Sequence, residues 1–190
     1  RGLLAQAQRP EDAGVQADLA TFLDHGVYGM SAITAVTAQN TRSVARIDPV
    51  PVDGLRAQIE AVFADLPVDV VKIGMLGTAA HAQCVAGLLA AFTPIVLDPV
   101  MVATSGALLL DPDAVAALRD LLQLVALATP NVAEAAVLAG VDPADGEALA
   151  RWAREAPCPV LLTGGDRPGD AITDTLFIGR QRRDFTRPRI

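Results

Sequence analysis

Val70-Val71-Lys72-Ile73-Gly74 and Ile95-Val96-Leu97-Asp98-Pro99 are short apolar runs that stop abruptly, the first at glycine and the second at Asp-Pro. Between them Thr78 can cap a helical pattern that runs to about Phe92. With Val68 to Ile73 as the first strand, strand, helix and strand at this spacing make a βαβ unit, and they predict a mostly parallel sheet. Toward the N-terminus, Val15, Leu19, Phe22 and Leu23 recur at helical spacing and stop at His25-Gly26. Tyr28 to Thr37 is predicted as a buried strand, and Arg42 to Val52, broken by Pro49 and Pro51, as an edge ribbon or flap. Leu55, Ile59, Val62, Phe63 and Leu66 mark a second helix with one apolar face.

Toward the C-terminus the alternation continues. Asp111-Pro112 predicts a helix start, with Val115, Leu118, Leu121 and Leu122 as its buried stripe. Leu124 to Ala128 reads as a strand, and Asn131 as the cap of a helix to Leu138 that stops at Gly140. Asp142-Pro143 predicts a further helix through Trp152, and Val160-Leu161-Leu162 a strand before the turn-rich Gly164 to Gly169. Asp174 to Ile178 and Arg183 to Thr186 predict a closing hairpin around Gly179. No repeat or linker interrupts the pattern, so a single α/β domain over residues 1–190 is expected.

Composition narrows the function. The chain has 190 residues, 52% hydrophobic and 19% charged, which excludes a disordered tail as the main state. A net charge of −7 argues against nucleic acid as the principal partner, because phosphate binding needs a basic face. The one basic stretch is Arg180, Arg182, Arg183, Arg187 and Arg189. No apolar run reaches 18 residues, and Arg9, Glu11 and Asp12 interrupt any signal-peptide core, so a cytoplasmic protein away from membranes is expected. Cys84 and Cys158 lack metal or redox spacing and are expected to be buried, reduced thiols.

In an open parallel sheet, ligands bind beyond the carboxyl ends of the strands. That rule selects Gln39-Asn40-Thr41, Lys72 with Gly74-Met75, Asp98, Thr129 with Asn131, and Thr163-Gly164-Gly165. Asp98 can hold magnesium through water or serve as a turn aspartate. Asn131 and Glu134 can face a ligand together or form a capping box. Gly164-Gly165 can bring backbone N–H groups to a phosphate or be only a turn; no P-loop accompanies it. Lys72, the single lysine, either pairs with a carboxylate or reaches a ligand, because an unpartnered buried ammonium is costly. His25 and His81 read as surface or packing residues.

Six blocks carry a resemblance. Gln16-Ala17-Asp18-Leu19-Ala20-Thr21-Phe22, Gly26-Val27-Tyr28-Gly29-Met30-Ser31, Ala38-Gln39-Asn40-Thr41, Val71-Lys72-Ile73-Gly74-Met75-Leu76, the run Leu97-Asp98-Pro99-Val100-Met101-Val102-Ala103-Thr104-Ser105-Gly106, and Thr129-Pro130-Asn131 with Glu134 resemble the hydroxymethylpyrimidine/phosphomethylpyrimidine kinases of thiamine biosynthesis. The resemblance implies a doubly wound, ribokinase-like fold, a mostly parallel sheet with helices on both faces, and a homodimer. It implies transfer of the ATP γ-phosphate, with Mg²⁺, to the pyrimidine and then to its monophosphate. Carried over by motif, Asp18 and Gln39 look like the pyrimidine readers, with Met75 and Val100 as apolar walls. A carboxylate accepts from an amino group, while an amide both donates and accepts. Asp98, Asn131 and Glu134 look like the ATP and magnesium side, without a direct metal ligand set, and Thr163 with Gly164 like the nucleotide-side turn.

Three departures qualify the expected activity. The family's glycine-rich G-S-D-S-G-G-G-A-G stretch is replaced by residues Gln6 to Gly14, and its Lys-Gly-Gly by Thr163-Gly164-Gly165. The G-T-G-C anion-hole motif does not occur in the 190 residues, so no catalytic residue is assigned and a missing C-terminal helical part is expected. The reading is therefore a family kinase with impaired turnover; the alternative is a non-catalytic pyrimidine-binding module or fragment.

Overall fold

Helix α1 (Val15–Asp24) closes at His25, whose backbone N–H donates to the last turn, and Gly26 leaves in the left-handed region at φ 71°. The computed structural model describes residues 14–39, 43–91, 94–101, 113–165 and 169–189. Strand β1 (Ala35–Gln39) pairs antiparallel with β2 (Val44–Pro49) in a two-stranded ribbon apart from the main sheet. Helix α2 (Val52–Asp65) buries Leu55 and Ile59 and leads to β3 (Val71–Ile73). Helix α3 (Ala79–Leu89) begins as expected at Thr78, whose hydroxyl accepts from the His81 N–H.

Strand β4 (Ile95–Leu97), helix α4 (Ala114–Leu121), β5 (Leu127–Ala128), helices α5 (Val132–Ala139) and α6 (Gly146–Glu155), and β6 (Val160–Leu162) continue the alternation. The hairpin of β7 (Ala171–Ile178) and β8 (Gln181–Pro188) turns at Gly179 and completes the sheet. Its order is β3-β4-β5-β6-β7-β8, parallel through β6 and antiparallel beyond. This is the expected α/β fold with a mostly parallel sheet.

The order explains where the helices lie. Right-handed crossovers that step one way along a sheet put their helices on one face. The register places Ile73, Leu97 and Ala128 side by side, with Val160 next to Ala128 and Phe177 next to Val160. All five are buried against residues of α2 through α6. Each fully buried aliphatic side chain contributes roughly 1.5–3 kcal/mol. The alternate residues Lys72, Val96, Leu127, Leu161 and Leu176 point to the opposite face and are half-buried. Helix α1 reaches that face through Asp18, which bonds Lys72.

Several boundaries differ from expectation. The strand predicted from Tyr28 is observed only from Ala35, and Tyr28 is 80% exposed. Its β-branched run has β2 as its sole strand neighbour among the described residues, so it forms ribbon rather than core. Of the strand predicted from Leu124, only Leu127 and Ala128 pair as a strand. The helix predicted at Asp142-Pro143 starts instead at Gly146. There Asp145 caps the Ala148 N–H, while the Asp142 carboxylate accepts from Ala144 in a preceding turn. The Asp111-Pro112 start lies outside the described residues, as do the Gln6–Ala13 departure and Asn40-Thr41.

Candidate active site

Parallel register aligns the polar strand ends that the sequence singled out. Ile73 stands beside Leu97, and Leu97 beside Ala128, so Gly74, Asp98 and Thr129 leave the sheet at one level. Thr129 donates its N–H to the Leu97 carbonyl, and Asp98 to that of Ile73. One step further, Asn131 bridges Thr163. The candidates from β3 to β6 therefore share one rim of the sheet.

Lys72 is paired. Its Nζ lies 2.6 Å from Asp18 Oδ1 and 3.3 Å from Asp98 Oδ2, joining residues 54 and 26 positions away in the chain. All three side chains are about 30% exposed or less. Burial works to lower the Lys72 pKa. The Asp18 hydrogen bond and the charges of both carboxylates outweigh it and raise the pKa above the ordinary lysine value. Burial raises the Asp98 pKa, and the opposing pull of Lys72 does not cancel it. Two carboxylates and one ammonium give this cluster a single net negative charge.

After β5 the rim is organised by a capping box. The Glu134 N–H donates to Asn131 Oδ1 at 2.9 Å, and Glu134 Oε2 accepts from the Asn131 N–H at 2.9 Å. Of the two sequence alternatives the capping box is formed, and Glu134 is 92% buried while making it. Glu134 lies at the start of α5, the helix that follows β5, the neighbour of β4. Gly140 ends the helix at φ 70°, as expected.

The Gly164 expectation needs correction. Its N–H is not free for a phosphate: it donates to Asp174 Oδ1 at 2.8 Å. A Cβ at this position would collide with the Thr173 carbonyl, so the glycine serves close packing of β6 on β7. Thr163 donates its N–H to the Pro130 carbonyl and stays half-buried on the rim. Arg189 donates to the carbonyls of both Gly165 and Gly169. Asp174 and Arg189 are contributors that the sequence reading missed. Their only signal was a carboxylate and an arginine within a hairpin, which is common on any exposed strand pair.

Met75 and Val100, the expected apolar walls, are half-buried beside the rim. The Met75 carbonyl accepts from the Thr34 hydroxyl at 2.7 Å, tying it to the foot of the ribbon. The Gln58 amide grips both the N–H and C=O of Ile33, and His81 bonds the Val50 carbonyl at the other foot. His81 is thus a buried packing residue, as expected. Gln39 ends β1 at a register shift, and no hydrogen bond joins it to Asp18 among the described residues. The structure therefore unites Asp18, Lys72 and Asp98, and separately Asn131 with Glu134 and Thr163. Gln39 stands on the ribbon.

Cys84 and Cys158 are free and buried, and burial pushes the Cys158 thiol up to about 11. Among the described residues no group of three His, Cys, Asp or Glu gathers as a metal nest. Magnesium carried mainly by phosphate and water needs only one or two carboxylates, a demand that Asp98 and Glu134 fit. No helix among the described residues is long and apolar enough to cross a membrane.

Comparison with known proteins agrees with this arrangement. The family model for phosphomethylpyrimidine kinase matches residues 12–190. The hydroxymethylpyrimidine/phosphomethylpyrimidine kinase of Synechococcus elongatus is 49% identical over 164 residues, covering 83% of this chain and 62% of that protein. The chain thus spans less than two thirds of that relative's length. The crystal structure of phosphomethylpyrimidine kinase from Clostridium difficile superposes with a TM-score of 0.80 at 37% identity, covering 91% of this chain and 78% of that one. An ADP complex of Bacillus subtilis pyridoxal kinase gives a TM-score of 0.83 at 28% identity, covering 97% and 72%. Strand order, rim chemistry and these likenesses converge, and the chain belongs to the phosphomethylpyrimidine kinase family.

Proposed function

We propose that the protein catalyses ATP-dependent phosphoryl transfer to hydroxymethylpyrimidine and then to its monophosphate, in the cytoplasm, as a step of thiamine biosynthesis. The observation that carries this reading is the family match over residues 12–190, together with an ionised cluster at the rim where the family's motif falls. In this reading Asp18 accepts from the pyrimidine amino group, and Gln39 reads the ring from the ribbon. Met75 and Val100 form its apolar walls.

Asp98 and Glu134 would hold Mg²⁺ through water on the phosphate side, where the ion would spread the charge of the phosphate oxygens. Thr163, with the turn after Gly164, borders the nucleotide. The single negative charge of the Asp18–Lys72–Asp98 cluster limits repulsion of an incoming phosphate, where two unpaired carboxylates would oppose it more strongly. No residue described here is assigned as the base, and the anion-hole motif does not occur among the 190 residues. A homodimer is part of the proposal.

Calorimetry with hydroxymethylpyrimidine, with pyridoxal as competitor, tests the reading, combined with an assay for ADP formation. Binding of the pyrimidine in preference to pyridoxal, weakened in Gln39→Ala, is expected. Equal or better binding of pyridoxal would overturn the substrate assignment. Pyrimidine binding without any ADP would mark a binding module instead of a kinase.

A further inference from the structure

The geometry points to Lys72 as a positioning residue: one ammonium holds Asp18 of α1 and Asp98 of the sheet rim as a unit, each with an oxygen left to face a ligand. Three observations carry this. First, Asp18 is the only α1 side chain with a hydrogen bond or ion pair to another element among the described residues, and α1 has no buried residue. Among the described residues this bond is the one side-chain polar tie between α1 and the sheet.

Second, Lys72 engages one oxygen of each carboxylate. Asp18 Oδ2 and Asp98 Oδ1 have no side-chain partner among the described residues, so each group remains an acceptor after it is fixed. A carboxylate already held by a cation presents its second oxygen at a defined angle, which lowers the ordering cost of binding.

Third, Lys72 is the sole lysine among fifteen basic residues, and all the others are arginine. A guanidinium fork favours two parallel bonds to one carboxylate, whereas an ammonium on a flexible stem can direct N–H groups at acceptors on two separate elements. Lysine stands at the one described position where a cation must serve carboxylates from α1 and from the rim.

The assignment rests on the reading of Asp18 as the pyrimidine contact, and the test separates the two. Hydrogen exchange of the α1 amides and calorimetry with hydroxymethylpyrimidine are measured on the wild type, Lys72→Met and Lys72→Arg. Lys72→Met should release α1 to faster exchange and weaken the pyrimidine about tenfold or more. Lys72→Arg should keep α1 docked by charge yet still bind the pyrimidine several-fold more weakly. Unchanged α1 exchange in Lys72→Met, or wild-type pyrimidine affinity in Lys72→Arg, overturns the assignment.

If the wild type binds no pyrimidine, the functional reading fails, and the exchange measurement alone decides the role of Lys72. If Lys72→Met does not fold, Asp18→Asn is compared with Asp18→Asn/Lys72→Met. Equal α1 exchange in the two supports the coupling, and additive acceleration refutes it.

Discussion

The two faces of the six-stranded sheet are built from alternate residues of the same strands, yet they have different fates. On one face Ile95, Leu97, Ala128 and Val160 are at most 1% exposed beneath the helices α2–α6. On the other, Val96, Leu127, Leu161 and Leu176 are half-buried, and Lys72 sits among them with its two carboxylates. The fully buried side chains are concentrated on the first face and the charged Asp18–Lys72–Asp98 cluster on the second. Strands that read as uniformly apolar in sequence can therefore be energetically one-sided.

The largest expected effect tests that asymmetry directly. Leu97→Ala should lower unfolding free energy by about 3–4 kcal/mol, because a wholly buried leucine leaves a cavity. Leu161→Ala, on the opposite face of the neighbouring region, should cost about 1 kcal/mol. Urea denaturation of both variants measures the contrast, and equal losses would break it. Next in size, Asn131→Ala removes one arm of the capping box and should cost about 1 kcal/mol, with the first turn of α5 exchanging faster.

A smaller effect concerns pH. Asp98 has a raised folded pKa, so its contribution to stability is present below the ordinary aspartate value and lost as pH rises through the folded value. At neutral pH its ionisation thus costs the fold. Asp98→Asn should remove this part of the pH dependence of Tm while weakening magnesium-dependent nucleotide binding. Lys72 also has a raised pKa, and its contribution holds below about 10.5 and fades as pH rises through the folded value. Hydrogen exchange of α1 should accelerate in that alkaline window more than expected from intrinsic chemistry. Smallest of all, Cys158 should resist alkylation at pH 8 in the native protein and react once it is unfolded, as burial and a pKa near 11 require.

Elements defined by local chemistry were legible before any coordinates. Ile95–Leu97 and Val160–Leu162 are short apolar runs with abrupt ends, and both strands fall at those residues. The helix from Asn131 carries its start in a side chain and its stop in Gly140. What could not be read depended on distant partners. Tyr28 to Thr37 has strand composition, but which neighbour it finds decides whether it is buried, and among the described residues it pairs only with β2. Lys72 announced that it needed a partner without naming one, because its carboxylates lie on α1 and after β4. Gly164 was legible as a turn residue, but the capture of its amide by Asp174 depends on how β7 lies against β6.

The two-stranded ribbon is moored to three separate parts of the domain. Thr34 is fastened to the Met75 carbonyl after β3, Ile33 is gripped by Gln58 of α2, and Val50 is held by His81 of α3. Breaking one of these hydrogen bonds leaves the others in place, so the ribbon's base stays fastened as a tent stays up when a single rope is cut.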